Sequence, residues 1–445
     1  MLAASVVGLA GCGAGAERPR VAFVGGTLWD GSGGPPISDA VVIVANGRIE
    51  AAGAADAVRI PRGAEQVLVT GRWIIPGLID AHTQAARWTL SRHVAYGVTT
   101  VRSLGGSHDS AFALRDDVGL GSLAGPRLLV SGAWIDRAPT RLLAATTIAT
   151  PEEARRAIDD RILRDASVAA IGPRVDQRLM SAMLDEARTV SLPVAGLLGR
   201  LDALTAARLG VSSIEQLSGI AESAVADPAA LFRAHDEPGA AWKAVGHAWS
   251  GLDSARLHRV AVGLKDAGVA LVPALVLHEA RARLTDPAYA ASLDASGIPE
   301  GARAAWDGAA AARNAGLSPG DLAALRRART AQDRLVRLFK AAGGMVAAGS
   351  GSPGPLVAPG ASLHDELVLL VRAGLTPREA LLAATRDAAR VAGVDSVGGV
   401  RAGMVADFLV LAASPLDDIA NTRRIERIVV RGLARSPAEL RTLWE

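Results

Sequence analysis

Short apolar runs alternate through the middle of the chain with longer stretches of mixed apolar and charged residues. Runs bounded by glycine or proline read as buried strands, and the mixed stretches read as helices packed over them. The strands expected are 74–82, 99–104, 126–131, 167–171, 193–198, 212–217, 269–276 and 345–349. Eight strands with helices between them are what a closed parallel barrel needs. Pro151-Glu152-Glu153-Ala154-Arg155-Arg156 opens one such helix, with Thr150 as N-cap and Pro151 at the first helical position. Residues 280–320, alanine-rich with scattered glycine and proline, read as a helical insertion before the last strand.

The two ends of the chain follow a different pattern. Residues 21–73 alternate over short distances: Val21-Ala22-Phe23-Val24, then Val41-Val42-Ile43-Val44, then Arg48-Ile49-Glu50 after the turn Ala45-Asn46-Gly47. Asn-Gly between alternating apolar residues signals a hairpin. Asp407-Phe408-Leu409-Val410-Leu411 and Ile425 to Gly432 are again strand-like.

With 445 residues, half of them apolar, the chain has material for one large domain and a smaller one. Aromatics make up only 3%, so the core must be built mainly from Ala, Val and Leu. The net charge is +3, and the lysines are Lys243, Lys265 and Lys340 alone. No lysine-arginine cluster stands out, which argues against a nucleic-acid partner. The one cysteine, Cys12, excludes an internal disulfide. It closes Leu9-Ala10-Gly11-Cys12 after the apolar run Leu2 to Val7, and this box resembles a bacterial lipoprotein signal. The resemblance implies acylation at Cys12, export, and attachment to the cell envelope on the periplasmic or outer-membrane side, with residues 1–20 as signal and tether. The apolar run is too short to span a bilayer, and no basic residue precedes it.

The densest chemical signal is Trp73-Ile-Ile-Pro-Gly-Leu-Ile-Asp-Ala-His82-Thr-Gln84. Period-two alternation places 82 and 84 on one side of a strand at its C-terminal end, the chemical face of a parallel barrel. The segment resembles the amidohydrolase superfamily, in its imidazolonepropionase-like and prolidase-like members, where a His-x-His pair follows a similar Pro-Gly-Leu-Ile-Asp run. Further matching blocks are Asn46 to Ile49, Tyr96 to Arg102, Leu192 to Gly196, Gly210 to Glu215, Leu363 to Leu367, Ala373 to Pro377 and Gly403 to Asp407. The resemblance implies a (β/α)8 TIM-like barrel over 74–399. It also implies a small composite β-sandwich made from 21–73 and 400–445, and hydrolysis of amide or other carbon–nitrogen bonds with zinc or another divalent metal.

The same resemblance assigns the metal ligands, and this chain lacks most of them. His82 is retained, while its partner position is Gln84. The carboxylated lysine of strand four falls on Ala170, and no lysine precedes Lys243. The histidines ending strands five and six fall on Leu197 and Gln216, and the aspartate after strand eight on Gly351. No metal cofactor is therefore expected. As a surviving ligand His82 would need partners that are missing; as a packed polar residue it needs only a hydrogen bond, and the second role is expected. His278, after strand seven, and Glu215 complete the residues expected around a barrel-mouth pocket. His108-Asp109 is expected in a solvated loop, His247 and His258 on the surface, and His364 packed or capping; His93 and His235 give no signal. His-Glu-x-x-His, Cys-x-x-Cys, Walker and Gly-x-Ser-x-Gly patterns are absent. Two functions follow: a catalytically impaired protein that keeps a pocket for a small molecule or peptide, or an active hydrolase of cyclic amides or peptides with an altered mono-metal or metal-free site. Simple decay of a redundant copy is a third outcome, and predicts no selective ligand and poor stability.

Overall fold

The computed structural model describes residues 19–140, 142, 144–237 and 240–444; Cys12 and its flanking box lie outside them. The two ends of the chain share one eight-stranded sheet. Its order is Leu433–Arg435, Ile425–Val430, Phe408–Leu411, Trp73–Pro76, Val21–Leu28, Ile37–Ala45 and Arg48–Ala54, with Glu65–Leu68 beside Val21–Leu28. The seam between the ends is antiparallel, with Phe408 opposite Pro76 and Leu411 opposite Trp73. Asn46 and Gly47 turn the expected hairpin with φ of 50° and 76°. Both residues thus occupy the left-handed region that a two-residue hairpin turn requires. Phe23, Leu28, Val42, Ile74, Phe408 and Val429 form the core of this sheet.

The remaining parallel strands make the barrel wall, in two runs. One run is Leu78–Thr83, Val98–Ser103 and Arg127–Val130; the other places Ala169–Ile171, Val194–Gly196, Ser213–Glu215 and Ala270–Val272 side by side, with Ile135–Arg137 and Thr146–Ile148 at its edge. Single hydrogen bonds join the runs rather than continuous ladders. Ser167 N donates to Val130 O at 3.0 Å on one side. On the other, Leu271 N donates to Met345 O (2.9 Å) and Ala81 N to Ala348 O (2.9 Å), so 345–348 lies between the last and first strands.

Three expectations need correction. The strand expected over 74–82 is two strands, because Pro76-Gly77 breaks it: Trp73–Pro76 belongs to the terminal sheet and Leu78–Thr83 to the barrel. Within 345–349 only Val346 forms a β-bridge, to Leu271, and no extended strand follows. His108 is not in a loop; it opens the helix His108–Leu120.

Helices cover the barrel as the alternation predicts. Thr150 caps Pro151–Leu163 in a reciprocal box with Glu153. Between the seventh strand and 345 lie Leu275–Ala282, Pro287–Ser292, Glu300–Trp306, Gly308–Asn314 and the long Pro319–Ala341. No helix among the described residues is long and apolar enough to cross a membrane.

Candidate functional site

His82 is buried near the end of the first barrel strand and belongs to a closed polar chain. Its Nδ1–H donates to Glu215 Oε2 at 2.6 Å. Glu215 Oε1 accepts from Arg102 Nη2 at 2.5 Å and from Ser213 Oγ at 2.6 Å. Arg102 completes its fork on Ser213 Oγ (3.1 Å) and Ala81 O (2.7 Å). Burial works to raise the Glu215 carboxyl, but Arg102, His82 and Ser213 overcome it and hold the group below the ordinary carboxylate value. On the other side of the imidazole, the Gln216 amide donates to Nε2 at 3.1 Å. Both ring nitrogens of His82 are therefore engaged by protein.

A bulge between Asp80 and Thr83 interrupts the pairing with Val98–Ser103 just before Gln84. The strand ends at Thr83, and Gln84 is exposed, with its amide over Gly106.

Apolar packing occupies the positions that family resemblance gave to the carbamate and the strand-five histidine. Ala170 and Leu197 pack in one cluster with Leu104, Trp134, Val168 and Ala195. Trp134 lies with its ring centroid 6.2 Å from that of His82. It fits because Gly105 has no side chain: a Cβ there would sit 2.0 Å from the indole Nε1. Gly351, at the aspartate position, has φ of 68°, and a Cβ there would meet Leu277 at 3.1 Å. Asp80, two residues before His82, is turned to Ser350 instead, accepting from its Oγ at 2.5 Å and its N at 2.9 Å. Burial pushes the Asp80 carboxyl up to about 6 despite those bonds. The donor set does not fit a metal centre: one engaged imidazole faces Leu197, Ala170, a glutamine amide and a glycine. Among the described residues, no group of three or more His, Cys, Asp or Glu side chains is placed to hold an ion.

The ends of strands six and seven are built differently. Gln216 and Leu217 both have positive φ, 55° and 54°, and Ala274 has 48°. Such backbone in non-glycine residues is costly and persists only where the surroundings impose it. His278 supplies one restraint: its Nε2–H donates to Gln216 O at 2.9 Å, while Gln332 donates to Nδ1 at 3.2 Å. Burial pushes the His278 imidazole well below its ordinary value, and the charges of Arg281 and Arg329 add to this. Its role here is to hold backbone.

Beside this strained turn opens a cavity of about 310 Å³, lined among others by Leu197, Gln216, Glu222, Trp242, His278 and Arg281. The helix Ala240–Ser250 forms part of its wall through Ala241, Trp242, Val245 and Trp249. Of the expected pocket residues, His278 lines a cavity, as do Gln216 and Leu197 from the ligand positions of the resemblance, whereas His82 and Glu215 do not line it and His82 touches it only through Gln216. His235 joins the cavity as well, its Nε2 2.9 Å from Glu222 Oε1. His108 instead meets Asp160 at 3.0 Å, and His364 is buried between Thr422 and Tyr96. His247 pairs with Asp321 at the surface. Sequence reading passed over Arg102, Trp134, Arg281 and Glu222. An arginine inside the apolar run Val98–Ser103 was the one available signal, since such a charge requires a buried partner.

The architecture and the comparisons with known proteins agree. Residues 250–434 match the model of the amidohydrolase family. A prolidase-like protein of Bifidobacterium longum is similar over 96% of this chain and 98% of its own, at 24% identity and a TM-score of 0.70. This chain has the fold of the amidohydrolases, and its residues 250–434 match their family model. Bottromycin amidohydrolase superposes with a TM-score of 0.75 at 24% identity, over 96% of this chain and 89% of that one. A Xaa-Pro dipeptidase with bound methionine gives 0.66 at 17% identity, over 94% and 100%. Identities this low carry the fold and not the activity. No match is found among curated proteins. The amidohydrolase fold is therefore present, with structural neighbours of prolidase and dipeptidase type.

Proposed function

We propose that this amidohydrolase-fold protein binds a small molecule and has lost the metal-dependent hydrolysis of its relatives. One observation carries the reading: Ala170 and Leu197, which the resemblance aligns with the carbamate and the strand-five histidine, pack with Trp134 in one apolar cluster, while an open, partly polar cavity persists beside them. Replacing costly buried polar groups by packed apolar ones is tolerated when turnover is no longer required. The cavity mouth keeps strained backbone at Gln216 and Leu217 and a histidine that restrains it, which a decaying copy has no reason to retain. We also propose that the protein is exported and held at the bacterial cell envelope through a lipid on Cys12. Loss of labelled palmitate in Cys12→Ser tests the attachment.

The deciding experiment is metal content by elemental mass spectrometry after incubation with zinc and desalting. Near-zero stoichiometry is expected. About one metal per chain, lost in His82→Ala, overturns the reading.

A second reading rests on the His82–Glu215 pair. A carboxylate 2.6 Å from Nδ1 is how a general base is oriented, and a metal-free hydrolase would use Nε2. Gln216 occupies that nitrogen, so the base has no free lone pair until the amide moves. Turnover of peptide or cyclic amide substrates, abolished by His82→Ala, would establish this alternative.

A further inference from the structure

The cavity contains a cation without a carboxylate. Arg281 lies on the helix Leu275–Ala282, its guanidinium 4.6 Å from the centroid of the Trp242 ring. Its Nη2 reaches Gln216 Oε1 only at 3.4 Å, and its Nε has no hydrogen-bond partner. Arg102 pairs with Glu215, Arg161 with Asp160, and Arg329 with both Glu279 and Asp333, whereas the buried Arg92 rests on backbone carbonyls and aromatic rings. Arg281 forms no ion pair among the described residues. Burial lowers its guanidinium to about 10, which leaves it a cation at neutral pH. A charge withdrawn from water without a carboxylate partner is unfavourable, and only the Trp242 ring and the long contact to Gln216 offset it.

We propose that Arg281 anchors the anionic end of this cavity's ligand, a small carboxylic acid with an apolar body and a second group that donates a hydrogen bond. The proposal rests on the binding function above and specifies its ligand. The guanidinium fork matches a carboxylate in two parallel hydrogen bonds, and the ring of Trp242 holds the plane of that fork. Leu197, Leu198 and Trp249 supply apolar wall for the body of the ligand. Glu222, on the same cavity, is buried and accepts from His235 through Oε1, while its Oε2 has no partner. That free oxygen calls for a donor. The volume of about 310 Å³ exceeds the roughly 150 Å³ that accepts a benzene ring, so one ring with short substituents fits.

Calorimetric titration of the whole protein in chloride-free buffer tests this with three probes: phenylacetate, 4-hydroxyphenylacetate and the neutral phenylacetamide. Phenylacetate is expected to bind at least ~10-fold tighter than phenylacetamide, and 4-hydroxyphenylacetate tighter again. Arg281→Met should weaken both acids at least ~10-fold and leave the amide unchanged, with Arg281→Lys in between because it keeps the charge and loses the fork. Glu222→Gln should remove only the advantage of the hydroxyl. Equal binding of acid and amide, or undiminished acid binding by a folded Arg281→Met, overturns the anion anchor and leaves the pocket standing. Failure of all three probes to bind the folded protein removes both.

Discussion

The two halves of the barrel mouth solve the burial of polar groups in opposite ways. Around His82 of strand one, with Arg102 of strand two and Ser213 and Glu215 of strand six, every charge is matched. Arg102, Glu215, His82 and Ser213 close on one another, and Trp134 with Leu197 and Ala170 fills the space above. On the side of strands six and seven, Arg281 has an idle Nε, Glu222 an idle oxygen, and the backbone turns through positive φ at Gln216, Leu217 and Ala274. Stability accounts for the first arrangement without reference to any ligand. The second is the arrangement that the proposed ligand would complete, since local strain and unmatched polar groups often mark functional sites. Gln216 is the hinge between the halves, its amide on His82 and its carbonyl oxygens toward Arg281 and His278.

The largest effects should come from breaking the closed half. Glu215→Ala strands Arg102 in a buried site with no carboxylate, and losing one partner of such a pair costs about 3–5 kcal/mol. Urea titration should show a fall of that size or an unfolded protein. Glu215→Gln should cost less because it keeps an acceptor for Arg102. Trp134→Ala follows, at about 3 kcal/mol, from the cavity left inside the apolar cluster. It should not restore metal uptake, since Leu197 and Ala170 still offer no donor. Zinc binding by Trp134→Ala would mean that the indole alone blocks the site.

What the sequence made legible divides along the same line. The fold was readable because alternation, glycine-proline breaks and family blocks such as Tyr96 to Arg102 all point to one barrel. The residue types at Ala170, Leu197, Gln216 and Gly351, which the resemblance aligns with metal ligands, were readable as non-ligating. The exposure of Gln84 was not, and neither was the bulge at Asp80–Thr83, which adds a residue without disturbing the apolar pattern. The split at Pro76-Gly77 had a visible signal, yet one continuous strand fitted the hydrophobic run equally well. Arg281 over Trp242, and Glu222 against His235, are tertiary meetings of separate helices and loops. No local periodicity encodes them.

The open half can be probed through Glu366, whose Oε2 accepts from Val276 N at 2.7 Å and so pins the start of the helix that carries His278 and Arg281. Its other oxygen has no partner, and burial pushes the carboxyl up to about 8. The folded value lies above the unfolded one, so the protonated group favours folding. That contribution is complete below the unfolded value of 4.5 and is lost as pH rises through about 8. Glu366→Gln mimics the protonated form. Its Tm should exceed that of wild type by about 2–4 °C at pH 8.5 and match it near pH 4.5. A variant equally destabilised at both values would show that the carboxyl is charged throughout.

The smallest effect is the sharpest test of the contrast. If Arg281 is retained for a ligand, removing it should not harm the fold. Arg281→Met keeps a long flexible side chain against Trp242 and eliminates an unmatched cation, so the unliganded protein should be more stable by about 1 kcal/mol, the usual sign when a functional polar group is replaced. The stacking on Trp242 works against this and limits the gain. Saturating phenylacetate should then reverse the order, raising the Tm of wild type and not that of the variant, because only a ligand that binds the native state shifts the folding equilibrium. Loss of stability by more than about 1 kcal/mol in the unliganded variant would place Arg281 with Arg102, as a cation the fold itself needs.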